Sequence, residues 1–127
     1  MKKTPRPKMI LAADDSAVAR EALCKVFEVE KDYELRAEAV NGEEAIALAK
    51  EYKPDLIILD MVMPVVNGIE AARVLKSIMP HIPIILFTIY NDTAAYHLLG
   101  KSVPIDRIVP KSEVLSIVRH VRSLIAA

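Results

Sequence analysis

Five short apolar runs, each followed by a stretch with helical spacing, govern what this chain can fold into. "KMILAA" (8–13) reads as a first strand that ends on Asp14 and Asp15. From Ser16, a helix N-cap, the residues Ala19, Ala22, Leu23, Val26 and Phe27 fall on one helical stripe. "YELRAEA" (33–39) alternates with period two, as a half-exposed edge strand does. Asn41 caps a second helix with Glu44 three residues on, and Ala45, Leu48, Ala49 and Tyr52 form its expected buried face. "DLIILD" (55–60) is apolar on both faces, the pattern of a central parallel strand covered by helices.

The same rhythm continues to the end. A third helix runs from Gly68 to Met79 and stops before Pro80. "IPIILFT" (82–88) is a further buried strand, and Asp92 to Leu99 a short helix closed by Gly100. "DRIVP" (106–110) is the last strand. After Ser112 comes the clearest stripe: Val114, Ile117, Val118, Val121, Leu124 and Ile125. Strand alternating with helix implies parallel strands and helices on both sheet faces, an open doubly wound α/β sandwich. The expected strand order is 2-1-3-4-5, with a crevice at the carboxyl ends of strands 1 and 3.

Composition narrows the function classes. The 127 residues suit one domain with one core, with residues 1–7 a flexible basic tail. Lys plus Arg and Asp plus Glu number 17 each, so no net charge marks the chain for nucleic acid or an anionic membrane. The apolar run after the tail is too short for a signal peptide or a membrane span, which points to the cytoplasm. The one cysteine, Cys24, excludes an internal disulfide and fits a reducing compartment. It falls on the first helix, where a structural or surface role is expected. His81, His97 and His120 share no metal-ligand spacing.

The topology sorts the polar residues. Asp14 and Asp15 follow strand 1, Asp60 ends strand 3, Thr88 ends strand 4 and Lys111 follows strand 5. Four strands thus bring these groups to one end of the sheet, where such folds bind ligands. Three close carboxylates repel one another and call for a cation. A hard divalent ion such as Mg²⁺ suits an all-oxygen set with phosphate oxygens nearby. Lys111 adds a flexible positive charge and Thr88 a hydroxyl donor. Together they make a clamp for phosphoryl transfer, where positioning and charge neutralisation supply most of the catalysis.

The set "DD" (14–15), "LDMVMPVVNG" (59–68), "FT" (87–88) and "PK" (110–111) closely resembles the receiver domain of two-component response regulators, from about Lys8 to Ile125. The resemblance implies a flavodoxin-like (βα)5 fold of the chemotaxis-receiver type. It implies that Asp60 accepts a phosphoryl group from a sensor histidine kinase or a histidine phosphotransfer protein. Asp14, Asp15 and Asp60, with the backbone carbonyl of Val62, would hold Mg²⁺. Lys111 would pair with phosphoryl oxygens and Thr88 would hydrogen-bond the phosphate. The surface of the fourth helix, fifth strand and fifth helix would then signal to an effector protein or a fused output domain. Such a domain is a switch rather than a turnover enzyme.

The signalling half departs from the family pattern. Ile108 stands where an aromatic residue is usual, Pro104-Ile105 replaces the common Gly-Ala pair, and Ile89 replaces a small residue. Tyr90 either substitutes in part for the missing aromatic or merely lines the rim. Val62 and Tyr90 occupy the two positions that influence the attacking water, which predicts slow self-dephosphorylation. Two rival functions remain. A phosphorylation-independent interaction module would fail to bind Mg²⁺, and an aspartyl phosphatase would want an acid where Val62 stands.

Overall fold

Strands β1 (Lys8–Ala13), β2 (Tyr33–Ala39), β3 (Leu56–Leu59), β4 (Ile84–Thr88) and β5 (Arg107–Pro110) pair in parallel in the order β2-β1-β3-β4-β5. The structure is a computed structural model that describes residues 6–89 and 104–127. The helix expected from Asp92 to Leu99, its Gly100, Tyr90, His97 and the first five residues of the basic tail lie outside the described residues. Between the strands run α1 (Ala17–Glu28), α2 (Gly42–Tyr52) and α3 (Gly68–Ile78), and after β5 a 3₁₀ segment (Lys111–Ser116) leads into α4 (Ile117–Leu124). The order and direction of the strands are those expected from the alternating pattern.

Two apolar layers hold the helices to the sheet. On one face Leu11, Ala13, Ile57, Leu59, Ile84, Leu86 and Ile108 meet Ala45, Ala49, Ala71, Ala72 and Leu75 of α2 and α3. On the other, Ile10, Ala12, Leu56, Ile58, Ile85, Phe87 and Val109 meet Leu23 and Phe27 of α1 and Ile117 and Val121 of α4. The central strands therefore bury both of their faces, as their unbroken apolar runs require. Leu23 and Leu75 are fully buried, and truncating either to Ala removes about 2–5 kcal/mol of stability.

β2 carries an irregularity hidden in its sequence. Ile10 pairs with Leu35 but Leu11 pairs with Ala37, so Arg36 is an extra residue in the ladder. Tyr33 and Leu35 consequently pack on the α1/α4 face, while Ala37 and Ala39 pack on the α2/α3 face. A regular strand would have kept all four on one face.

Side chains at the helix starts explain where the helices begin. Ser16 Oγ accepts from the Ala19 N–H, Asn41 Oδ1 from the Glu44 N–H, and Asn67 Oδ1 from the Ile69 and Glu70 N–H groups. β3, β5 and α3 are each a residue or two shorter than expected, and other differences have local causes. β4 begins at Ile84 rather than Ile82, because Pro83 has no N–H to give the ladder, although its carbonyl accepts from the Ile57 N–H. Tyr52, expected on the buried face of α2, is exposed; it is the last helical residue before Lys53, whose φ of 49° ends the helix in the left-handed region. The last stripe is not one helix from Ser112: Glu113 (φ −107°, ψ 31°) breaks the geometry, and regular helix runs only from Ile117 to Leu124, with Ile125 already extended.

Candidate functional site

At the carboxyl end of the sheet the strands stop but their ladders continue for one residue. The Asp14 N–H donates to the Ala39 carbonyl at 3.0 Å, and the Asp60 N–H donates to the Ala13 carbonyl at 2.8 Å. Both aspartates are thus anchored through the main chain to neighbouring strands, and both side chains are buried, Asp14 at 1% exposure and Asp60 at 7%. Asp15, the next residue, is exposed. Oxygens from Asp14, Asp15 and Asp60 lie within 4.8 Å of one another.

Lys111, the first residue after β5, points its ammonium into this cluster. Its Nζ is 2.7 Å from Asp14 Oδ2 and 3.3 Å from Asp60 Oδ2. Asp14 Oδ1 accepts from the Ser16 N–H at 2.9 Å. Oδ2 of the same carboxylate is buried and accepts no well-directed hydrogen bond, so its contact with Lys111 is an ion pair without hydrogen-bond geometry. Thr88 ends β4, is buried, and lies opposite Pro110 in the register, one residue before Lys111. Val62 stands two residues beyond Asp60 with its side chain exposed.

The electrostatics follow from the crowding. Burial, and then the negative charge of Asp14, push the Asp60 carboxyl up to about 6, with Lys111 opposing the rise. For Lys111 burial works against the charge, but its attraction to the Asp14 and Asp60 carboxylates outweighs it and raises its pKa. The donor set is all oxygen, clustered, partly buried and supplied by three carboxylates. A buried carboxylate oxygen without a hydrogen-bond donor completes a set that fits a hard divalent cation.

α3 closes the site from below. The Gly68 N–H donates to the Met61 carbonyl at 3.0 Å, and a Cβ at Gly68 would collide with the Asp60 carbonyl oxygen. Only glycine lets α3 begin this close to Asp60. The loop before it is strained, since Val65 has a φ of 68° and the Val66 N–H donates back to the Pro64 carbonyl at 2.8 Å, a tight γ-turn.

The sequence-predicted residues Asp14, Asp15, Asp60, Thr88 and Lys111 all stand at the carboxyl ends of their strands, and the structure joins Asp14, Asp60 and Lys111 directly. Arg20 was missed. Its Nη1 donates to the Asp14 main-chain carbonyl at 2.7 Å. The available signal was its place four residues after the Ser16 cap, where a helical side chain leans back over the preceding loop.

The family model described as "Response regulator receiver domain" matches residues 10–118. The chain belongs to that family. Phosphorylation-dependent signalling is the family's standard function. The receiver is 34% identical over 85 residues to the transcriptional regulatory protein LnrK of Bacillus subtilis, covering 67% of this chain and 39% of that protein. It is 39% identical over 79 residues to a protein-glutamate methylesterase/protein-glutamine glutaminase of Clostridium acetobutylicum, covering 62% of this chain and 23% of that one. The matches thus span well under half the length of these relatives. Among solved structures, the response regulator domain of Thermotoga maritima CheB superposes with a TM-score of 0.84 at 25% identity, covering 94% of this chain and 96% of that one. A putative response regulator from Chloroflexus aurantiacus gives 0.84 at 26% identity, covering 95% and 99%.

Cys24 lies beside the carboxylate of Glu38. It sits half-buried on α1, its thiol donates to Glu38 Oε2 at 3.4 Å, and burial together with that carboxylate pushes the thiol up to about 11, which makes it a poor nucleophile. No described helix is long and apolar enough to cross a membrane.

Proposed function

We propose that this receiver takes a phosphoryl group onto Asp60 from a phosphohistidine, supplied by a sensor histidine kinase or a histidine phosphotransfer protein. The observation that carries the reading is the buried Asp60 carboxylate, held between Asp14 and the Lys111 ammonium at the end of β3. An Asp60 oxygen attacks phosphorus, the P–N bond breaks, and its electron pair returns to the imidazole. Lys111 stays within reach of the new phosphoryl oxygens, and the Thr88 hydroxyl hydrogen-bonds the phosphate. The carboxylates of Asp14, Asp15 and Asp60 and the Val62 carbonyl would hold Mg²⁺, which neutralises the charge gathered there.

The accepting unit is one receiver domain over residues 1–127 with a basic tail at 1–7, working in the cytoplasm as a signalling switch without substrate turnover. Output passes through the surface of the helix expected at 92–99, β5 and α4 to an effector protein or a fused output domain. Ile108 supports a route that does without a tyrosine hydroxyl: it is buried in the layer of Leu86, packed with Ile105. Val18, Val62 and Ile89, on the segments that follow β1, β3 and β4, are large exposed apolar side chains, which supports docking of a protein donor over this end of the sheet.

The test is incubation with a phosphoramidate and Mg²⁺, followed by intact-mass measurement. One phosphoryl adduct is expected on the wild type and none on Asp60→Asn or in chelator. An unmodified wild-type chain would falsify the reading.

A further inference from the structure

Asp14 is fixed by more than its carboxylate. Its N–H donates to the carbonyl of Ala39, and its own carbonyl accepts from Arg20 Nη1 at 2.7 Å. The Arg20 Nε lies 3.4 Å from Oε1 of Glu38, the residue before Ala39. Both main-chain polar atoms of Asp14 are therefore tied to the last two residues of β2, one directly and one through Arg20. Glu38 is also held by α1, since its other oxygen accepts from the Cys24 thiol. The Arg20 side chain is 19% exposed and that of Glu38 43%, so the clamp is sheltered at its Arg20 end and open to solvent at the other.

We propose that Arg20 is a positioning residue for the cation site: it locks the peptide plane between Asp14 and Asp15 and so aims both carboxylates. The carbonyl it grips belongs to that peptide, and rotating the plane would swing the Asp14 and Asp15 side chains together. The planar fork of arginine can reach the carbonyl and the Glu38 carboxylate at once, whereas a lysine ammonium can serve one of them well. The proposal rests on reading Asp14 and Asp15 as ligands of a divalent cation.

Charge alone predicts the opposite outcome, and that separates the explanations. Deleting a cation beside an acidic cluster favours Mg²⁺ binding by simple Coulomb attraction. Loss of positioning weakens it, and orienting partners of ligands typically contribute on the order of 10–100-fold in metal affinity. The experiment titrates Mg²⁺ alone into the metal-free full chain, with amide chemical shifts of Asp14, Asp15 and Asp60 as the readout and urea unfolding run in parallel. Arg20→Gln is expected to raise the dissociation constant about tenfold. Arg20→Lys, which keeps the charge and one of the two contacts, is expected between it and wild type, and serves if the Gln variant does not fold. A variant with a lowered unfolding midpoint but an unchanged or smaller dissociation constant overturns the positioning role and leaves the cation site standing. A wild-type chain that takes up no Mg²⁺ overturns both.

Discussion

Replacing Asp60 by Asn should stabilise the metal-free fold at neutral pH, although Asp60 is the proposed phosphoryl acceptor. Its carboxyl moves from an ordinary 3.8 in the unfolded chain to about 6 in the folded one. Between those values the folded state keeps a proton that the unfolded state has released, so stability falls as pH rises through the interval. Above about pH 6 the full penalty is present, and below about pH 4 it is absent. At ~1.4 kcal/mol per pH decade the interval corresponds to at most about 3 kcal/mol. The side chain keeps 9% exposure, and partial screening by solvent reduces this to about 1–2 kcal/mol. Asparagine keeps the volume and cannot ionise. Urea unfolding in chelator, followed by far-UV circular dichroism, should therefore place Asp60→Asn about 1–2 kcal/mol above wild type near pH 7.5, with the gap closing towards about pH 4. With Mg²⁺ at about 100 times its dissociation constant the wild type gains about 2.7 kcal/mol and the order reverses. An Asn variant no more stable than wild type at neutral pH without metal would refute the claim that burial and Asp14 strain the ionised carboxylate.

Lys111→Met removes the ammonium that sits between Asp14 and Asp60, so the Asp60 pKa should climb further in a carboxyl-carbon NMR titration. The metal-free fold should lose about 1–3 kcal/mol to urea, less than a fully buried pair because Lys111 is 20% exposed. Gly68→Ala drives a Cβ onto the Asp60 carbonyl, a backbone contact that cannot swing aside, and should destabilise by about 1–3 kcal/mol in thermal or urea melts. Because the displaced atom belongs to Asp60, phosphorylation by a phosphoramidate should slow as well; a variant of normal stability and rate contradicts the close packing. Val62→Asn offers the attacking water a polar partner and should speed release of phosphate from the phosphorylated protein. Equal release rates for the two proteins would remove the role assigned to Val62.

The strand order was legible because the two periods of the sequence switch cleanly, and a chain that alternates strand and helix has few ways to close. Strand ends were legible too, which is why Asp14, Asp60 and Lys111 could be placed together before any distance was known. The bulge at Arg36 was not. An extra residue in a parallel ladder leaves the alternation of "YELRAEA" intact and changes only which face each half of the strand meets. The break at Glu113 was hidden for a related reason: 3₁₀ and α-helical turns keep similar residues on the same side over a single turn. The Arg20 clamp depends on a side chain leaning across to a main-chain oxygen, and its place four residues after the Ser16 cap hints at the direction but not at the partner. The rise of the Asp60 pKa required both the burial and the nearness of Asp14, neither of which spacing supplies.

The way the carboxylates are held explains why the site should respond to cations and phosphoryl groups at all. Mobile like charges on a surface relieve repulsion by turning towards water. Asp14 and Asp60 have much less room to do so, because each main chain is pinned to the next strand and both side chains are buried. Among the described residues Lys111 is the cation within ion-pair distance of them. Three carboxylates and one ammonium leave a net charge of two negative units, which a divalent cation would neutralise, and protonation of Asp60 is the other outlet. The raised pKa of Asp60 and the proposed affinity for Mg²⁺ are then two expressions of one constraint. A variant that loosens the anchors, such as Arg20→Gln, should lower both together, whereas one that only changes charge should move them in ways Coulomb's law predicts.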